Sequence, residues 1–294
     1  MRDLKDFTLG EWLQLQPLQD GFKQLRNDLV QAAFIRRRPP EFERFLSDNA
    51  SLKGRNLALI VAFEQPWVLD WLMRMAAKNL ADATLVVCDN SRRPEPRIEI
   101  ERLCRERGVP YVAVPQNRTR HVNRSHGMAL SWIYHNVVRG LEPRRFGFFD
   151  HDLIPLQRVE FSALLGGQPF YGAPNPSRWG WSLWAGYCLY DYAAVKDLPL
   201  NFLYDFSRGL DTGGRNWMPL YRHHERGALR FGTRRNVTIS DAGESRNMEI
   251  VDEKWLHLCG VSYNDNFRPS AKLFERIAQR TGAGASLKEI ETGA

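Results

Sequence analysis

The sequence predicts an α/β protein, a mostly parallel sheet flanked by helices, and three observations predict it. Short apolar runs recur from residue 56 onward without polar alternation, as strands buried on both faces require. Stretches of helical spacing separate them, the pattern of strand–helix–strand units. Acidic residues close two of the runs, and the carboxyl edge of a parallel sheet is where ligands collect.

Residues 1–55 read as a helical N-terminal extension, with Leu25, Leu29, Ala32 and Ala33 at helical spacing until Pro39-Pro40 interrupts. The triplet Arg36–Arg38 reads as a solvated helix end, or as a contact for a membrane or an acceptor. A main domain is expected over 56–275. "NLALIVAF" (56–63) is its first strand. "PWVLDWLMRMAAKN" (66–79) opens with proline and sets Val68, Trp71, Leu72, Met75 and Ala76 on one helical stripe. "ATLVVCDNS" (83–91) is a second strand, and "RIEIERLCRERG" (97–108) a polar helix closed by Gly108. "VPYVAVPQN" (109–117) and "RSHGMALSWIYHNVVRG" (124–140) repeat the pair, and "RRFGFFDHD" (144–152) is the fourth strand. Beyond it, aromatic strands separated by Pro and Gly turns fill 168–191. One further strand ends at His257, and 276–294 read as a flexible tail.

Of the 294 residues, 43% are hydrophobic and 26% charged, a globular mix that excludes general disorder. The net charge of +7 favours an anionic partner. Nucleic acid is not expected: the arginines are dispersed, and no helix-turn-helix, zinc or RNA-binding signature occurs. Cys88, Cys104, Cys188 and Cys259 form no CxxC pair and read as isolated thiols in a reducing compartment. The N-terminus lacks an apolar signal core and no run reaches membrane-span length. A cytoplasmic protein is expected, with any membrane contact peripheral, at the inner face. Neither GxGxxG nor GxxxxGK[ST] occurs.

The chemistry-bearing residues each allow two readings. Asp150 and Asp152, two apart at the exit of an apolar strand, suit a hard divalent cation, Mn²⁺ or Mg²⁺, held with few protein carboxylates; the alternative is a polar loop. Asp89-Asn90 ends the second strand as a ligand contact or as a turn. Asn123, Ser125, His126 and Gly127 open the third helix, where an anion or a plain cap is expected. His151 should point away from its flanking acids in an extended segment. His257 is a ligand or a hydrogen-bonded core histidine. His223-His224 is a solvated basic face or a phosphate contact. Trp179, Trp181 and Trp184 pack in the core or form a platform against a sugar ring.

Over residues 56–263 these features resemble, in order, a nucleotide-sugar glycosyltransferase of the GT-A fold, close to the family 2 group. "VVCDNS" resembles the nucleoside-holding segment and "NRSHGMAL" the small-residue helix start beside it. "FFDHD" resembles the DxD metal motif, "WAGYCLYDYAAVKDL" the acceptor-side strand and helix, and "WLHLCGVSY" the late histidine segment. The resemblance implies a GT-A-like, Rossmann-like domain. It implies donor contacts at Glu64, Asp89, Asn90, Asn123, His126 and Gly127, and a metal at Asp150, Asp152 and His257. Trp181 and Trp184 become acceptor or sugar contacts. Where many members carry a Glu-Asp pair as base, this chain has "LDTGGRNW", so Asp211 takes that role, with inversion. The implied partners are a nucleotide-sugar donor and a glycan, lipid-linked or small-molecule acceptor. A sugar-phosphate nucleotidyltransferase and a basic nucleic-acid-binding module are the rival readings.

Overall fold

The computed structural model describes residues 1–261 and 267–292. The N-terminal extension is helical, as expected: α1 (Leu9–Leu13), α2 (Gln16–Ile35) and α3 (Phe42–Asp48). The central sheet then begins with β1 (Asn56–Ala62), followed by α4 (Pro66–Asn79), β2 (Thr84–Asp89), α5 (Pro94–Arg107) and β3 (Tyr111–Ala113). The next helix, α6 (Val122–Ile133), runs through a π turn at Tyr134–Val138 into the short α7 (Arg139–Leu141). It delivers the chain to β4 (Arg145–Asp150).

β1, β2, β3 and β4 are mutually parallel, and β6 (Phe170–Ser177) and β7 (Gly180–Asp191) extend the sheet antiparallel, giving the order β3-β2-β1-β4-β7-β6. The apolar run of β1 explains the layering. Ala58, Ile60 and Ala62 point to a core shared with α4 and α5, while Leu57, Leu59 and Val61 point to a second core shared with α6. Side chains alternate across a strand, so a run without polar alternation needs a helix on each face. The order also reverses at β1: β2 and β3 build to one side, β4 to the other. Such a switch point opens a crevice between the loops leaving the two strands.

A second, antiparallel sheet packs beside the first, in the order β5 (Leu153–Pro155), β10 (Trp255–His257), β9 (Glu244–Val251), β8 (Arg234–Asp241). Only β10 was expected. The hairpin β8–β9 turns tightly at Ala242-Gly243, both at positive φ, as a two-residue loop requires. Between the sheets the chain forms α8 (Phe161–Leu165) and α9 (Tyr192–Val195).

The C-terminal region departs from the flexible tail expected at 276–294. α10 (Ala271–Gly282) buries Leu273, Phe274 and Ile277, and α11 (Leu287–Thr292) buries Leu287 and Ile290. Trp71 Nε1 donates to Thr281 Oγ1 at 3.1 Å, fixing α10 against α4. The small residues between these helices form a turn, with Gly284 at φ 105. All four cysteines are free, three of them buried. No described helix is long and apolar enough to cross a membrane.

Candidate active site

The crevice at the switch point is a cavity of about 230 Å³. Val61, Phe63, Asn90, Arg92, Ser125, His126, Asp150 and His151 are among its lining. Three loops supply them: the exit of β1, the exit of β2 and the exit of β4, with the first turn of α6 closing one side. Asn90 continues the ladder, its amide donating to Ala62 O at 2.9 Å, and its side chain lies 3.5 Å from Ser125 Oγ.

Asp150 joins this cavity to a second cluster. Oxygens of Asp150 and Asp152 and a ring nitrogen of His257 all lie within 4.8 Å of one another. The chain brings them together by a short path. β4 ends at Asp150, the next two residues turn, and β5 pairs with β10 so that Leu153 sits opposite His257. Asp152 Oδ1 is 3.5 Å from His257 Nε2, and the amide of Leu258 donates to Asp152 O at 3.0 Å. Asp150 is partly exposed, with Oδ1 3.7 Å from His126 Nε2. Gly186 on β7 keeps the space open. A Cβ there would stand 2.1 Å from Asp150 Oδ2 and 2.6 Å from the Trp184 ring.

Two carboxylates and one imidazole, one carboxylate open to solvent, are donors that Mn²⁺ or Mg²⁺ accepts with room for substrate oxygens. The residues therefore fit a hard divalent cation. Burial opposes charge on the imidazole, yet Asp152 first, then Cys259 and Glu249, outweigh it and hold His257 well above its ordinary range. Burial likewise pushes Asp152 up, but His257 dominates and brings it down to about 2.

Glu249 was not read from the sequence. It lies on β9 opposite His257, and its Oε2 is 2.9 Å from Nδ1. The other ring nitrogen is thereby left to face Asp152. Arg234 on β8 binds both Glu249 oxygens, at 2.7 and 2.8 Å, and lies 4.4 Å over Trp184, whose ring is 4.8 Å from His257. In the sequence Glu249 sits among the solvent-facing charges of β8 and β9, and no pattern there singles it out.

Several expected contacts lie elsewhere. Asp89 is fully buried; Oδ1 accepts from the Ser91 amide at 2.8 Å and Oδ2 from Tyr111 Oη at 3.1 Å, with Arg97 3.7 Å away. It shapes the β2 exit and does not reach the cavity. Glu64, at φ 62, turns inward to accept from the Arg92 and Arg93 amides at 2.6 and 3.0 Å and to pair with the Arg93 guanidinium. Burial raises its carboxyl, but those bonds prevail and hold it below the usual carboxylate range. Glu64 thus joins the β1 exit to the β2 exit, while Asp89 ties the β2 exit to β3. Gly127 faces away, since a Cβ there would meet Phe202 O at 2.5 Å; glycine is needed for that approach. Trp181 packs between Tyr221, Phe231 and Phe170 in the core. Only Trp184 borders the cluster.

His151 Nδ1 accepts the Phe63 amide at 2.9 Å, and burial holds the ring below its ordinary range. The cap of α6 is His121, whose Nδ1 accepts from the Arg124 amide. Asn123 is thus free of capping and donates to Asp211 Oδ1. Asn123 and His126, three apart on one helix face, place Asp211 and Asp150 along the same flank of α6.

No family model and no curated protein matches the chain. Among solved structures it is similar to the mannosyltransferase PcManGT from Pyrobaculum calidifontis, in complex with GDP-Man and Mn²⁺. That match has 9% identity and a TM-score of 0.38, covering 61% of this chain and 58% of that one. It is also similar to glucosyl-3-phosphoglycerate synthase from Mycobacterium tuberculosis, in complex with Mn²⁺ and UDP-glucose. Identity there is 17% and the TM-score 0.29, over 47% of this chain and 49% of that one. S. aureus TarS matches at 14% identity and a TM-score of 0.34, over 52% of this chain and 31% of that one. Each match spans less than two thirds of the solved chain. Likenesses this distant are silent on activity, so function has to come from the site's own chemistry.

Proposed function

We propose that the protein is a metal-dependent glycosyltransferase moving a sugar from a nucleotide-sugar donor to an acceptor hydroxyl, with inversion. One observation carries the reading: Asp150, on the wall of the switch-point cavity, converges with Asp152 and His257 to within 4.8 Å. Mn²⁺ or Mg²⁺ held there would neutralise diphosphate charge as the leaving group departs.

The chain's own residues divide the remaining work. Asn90 and Ser125 offer neutral hydrogen-bonding groups to the nucleoside, and Arg92 and Arg120, also on the cavity wall, attract the diphosphate. Asp150, partly exposed beside His126, faces donor and cluster together. Trp184 presents its ring beside His257 to the sugar or the acceptor. Asp211, held by Asn123 and by the Thr212 amide at 2.7 Å, is the base that takes the proton from the acceptor hydroxyl. A single base without a positioned nucleophile implies one displacement, hence inversion.

A panel of nucleotide sugars, scored for Mn²⁺-dependent thermal stabilisation and then for transfer, tests this reading. At least one should stabilise the protein in Mn²⁺ and not in chelator. Asp211→Asn should keep that stabilisation and lose transfer by about 10²- to 10⁴-fold. Retained anomeric configuration in the product, read by NMR, would remove Asp211 from the role of sole base.

A further inference from the structure

The N-terminal helices carry their apolar residues on the outside. Ten of the thirteen large exposed hydrophobic side chains among the described residues fall between Leu4 and Val30. On α2, Leu18, Phe22, Leu25 and Leu29 follow the spacing of one helix face, and they are 63%, 71%, 57% and 64% exposed. Leu9 and Leu13, four apart on α1, add to the surface. The inward face of α2 is polar instead. Asn27 Oδ1 accepts from Arg124 at 3.2 Å, and Gln31 Nε2 donates to Ser131 Oγ and to Asn201 Oδ1 at 3.0 Å. Hydrogen bonds fasten this helix to α6, and its hydrophobic stripe is left for something else.

The charges along the stripe say what covers it. Lys23 and Arg26, three apart, run along one edge, and Arg36, Arg37 and Arg38 follow at the C-terminal end. Of the two acids on α2, only Asp20 interacts with one of these cations, Lys23. Asp20 is buried, and Asp28 is paired with Arg215 from another segment. We propose that the α1–α2 face docks on an anionic lipid bilayer, lying in the interface with the leucines and Phe22 in the acyl boundary and the basic edge at the headgroups. An apolar stripe edged by Lys and Arg is the composition such a surface selects. Trp12, at the edge of this surface, suits the same interface. A second copy fits less well: pairing two such stripes brings basic edges together, and the partly exposed acid of α2, Asp28, is already engaged by Arg215. Because α2 is bolted to α6, docking would hold the crevice at a fixed distance from the membrane.

Flotation of the full chain with vesicles tests the proposal. The protein should float with vesicles containing about 30% anionic lipid roughly tenfold more than with neutral ones, and less as salt rises. Phe22→Ser/Leu25→Ser should abolish flotation while leaving the melting temperature and nucleotide binding intact, since both side chains already face solvent. Lys23→Glu/Arg26→Glu should remove the preference for anionic lipid. Absence of flotation at every composition, or wild-type flotation by the serine variant, would overturn it. A dimer by light scattering that the serine variant converts to monomer would assign the face to a second copy instead.

Discussion

Gly186 and Glu249 shape the proposed cation site of Asp150, Asp152 and His257 from just outside it. The space that Gly186 leaves is the space Asp150 occupies, so Gly186→Ala should push the carboxylate aside. The expected outcome is a loss of Mn²⁺-dependent nucleotide affinity of about tenfold or more, with the far-UV circular dichroism unchanged. Glu249 orients the imidazole by binding Nδ1, the kind of outer contact whose loss costs roughly 10- to 100-fold in metal affinity. Glu249→Ala should show that loss by Mn²⁺ titration, and Glu249→Gln, which keeps an acceptor, should recover most of it. Equal affinities in wild type and Glu249→Ala would make the contact merely structural. The two acids at the β4 exit were legible because an apolar strand ends on them. Glu249 was not, because nothing in a charged, solvent-facing hairpin marks which acid turns inward.

At the scale of elements, the buried strands were read correctly because their apolar runs lack alternation, which only two-sided burial explains. The hairpin β8–β9 escaped notice for the opposite reason: its sequence "RRNVTISDAGESRNMEIV" is half exposed and rich in charge. The C-terminal helices escaped because glycines and alanines obscured apolar faces that α4 covers on α10 and β8 covers on α11. One connection is held by a single acid. Asp82 accepts from the Phe161 and Ser162 amides at 2.7 and 3.1 Å and from Asn56 Nδ2 at 3.2 Å, capping α8 from a distant loop. Asp82→Ala should lower stability by about 1–2 kcal/mol, the usual cost of losing a cap. Burial pushes this carboxyl up, but the bonds from Ser162 and Phe161 prevail and depress it. A depressed acid stabilises the fold above its unfolded value of about 3.9 and loses that contribution as pH falls below it. The gap in melting temperature between wild type and variant should therefore be constant near neutrality and narrow below about pH 4. A gap that stays constant into acid would show that the carboxylate's charge contributes nothing.

For the whole molecule, the reversal of strand order at β1 is what turns scattered residues into a site. It sets the exits of β1, β2 and β4 around one cavity, and β5–β10 pairing carries His257 from 105 residues downstream of Asp152 to within 3.5 Å of it. A linear reading could place the acids at strand ends, but it could not tell which strand-end acids face the cavity. Glu64 turns inward to join two loops and Asp89 is buried against Tyr111 of β3, whereas Asp150 and Asp152 meet His257. The central claim is that these three residues hold the cation through which donor diphosphate binds. Calorimetric titration of a nucleoside diphosphate, in Mn²⁺ and in chelator, on wild type and Asp152→Asn, tests it most directly. The account predicts binding by the wild type in Mn²⁺ alone and its loss, by about tenfold or more, in the variant. Equal affinity in chelator and in Mn²⁺, or an unchanged affinity in Asp152→Asn, would contradict it.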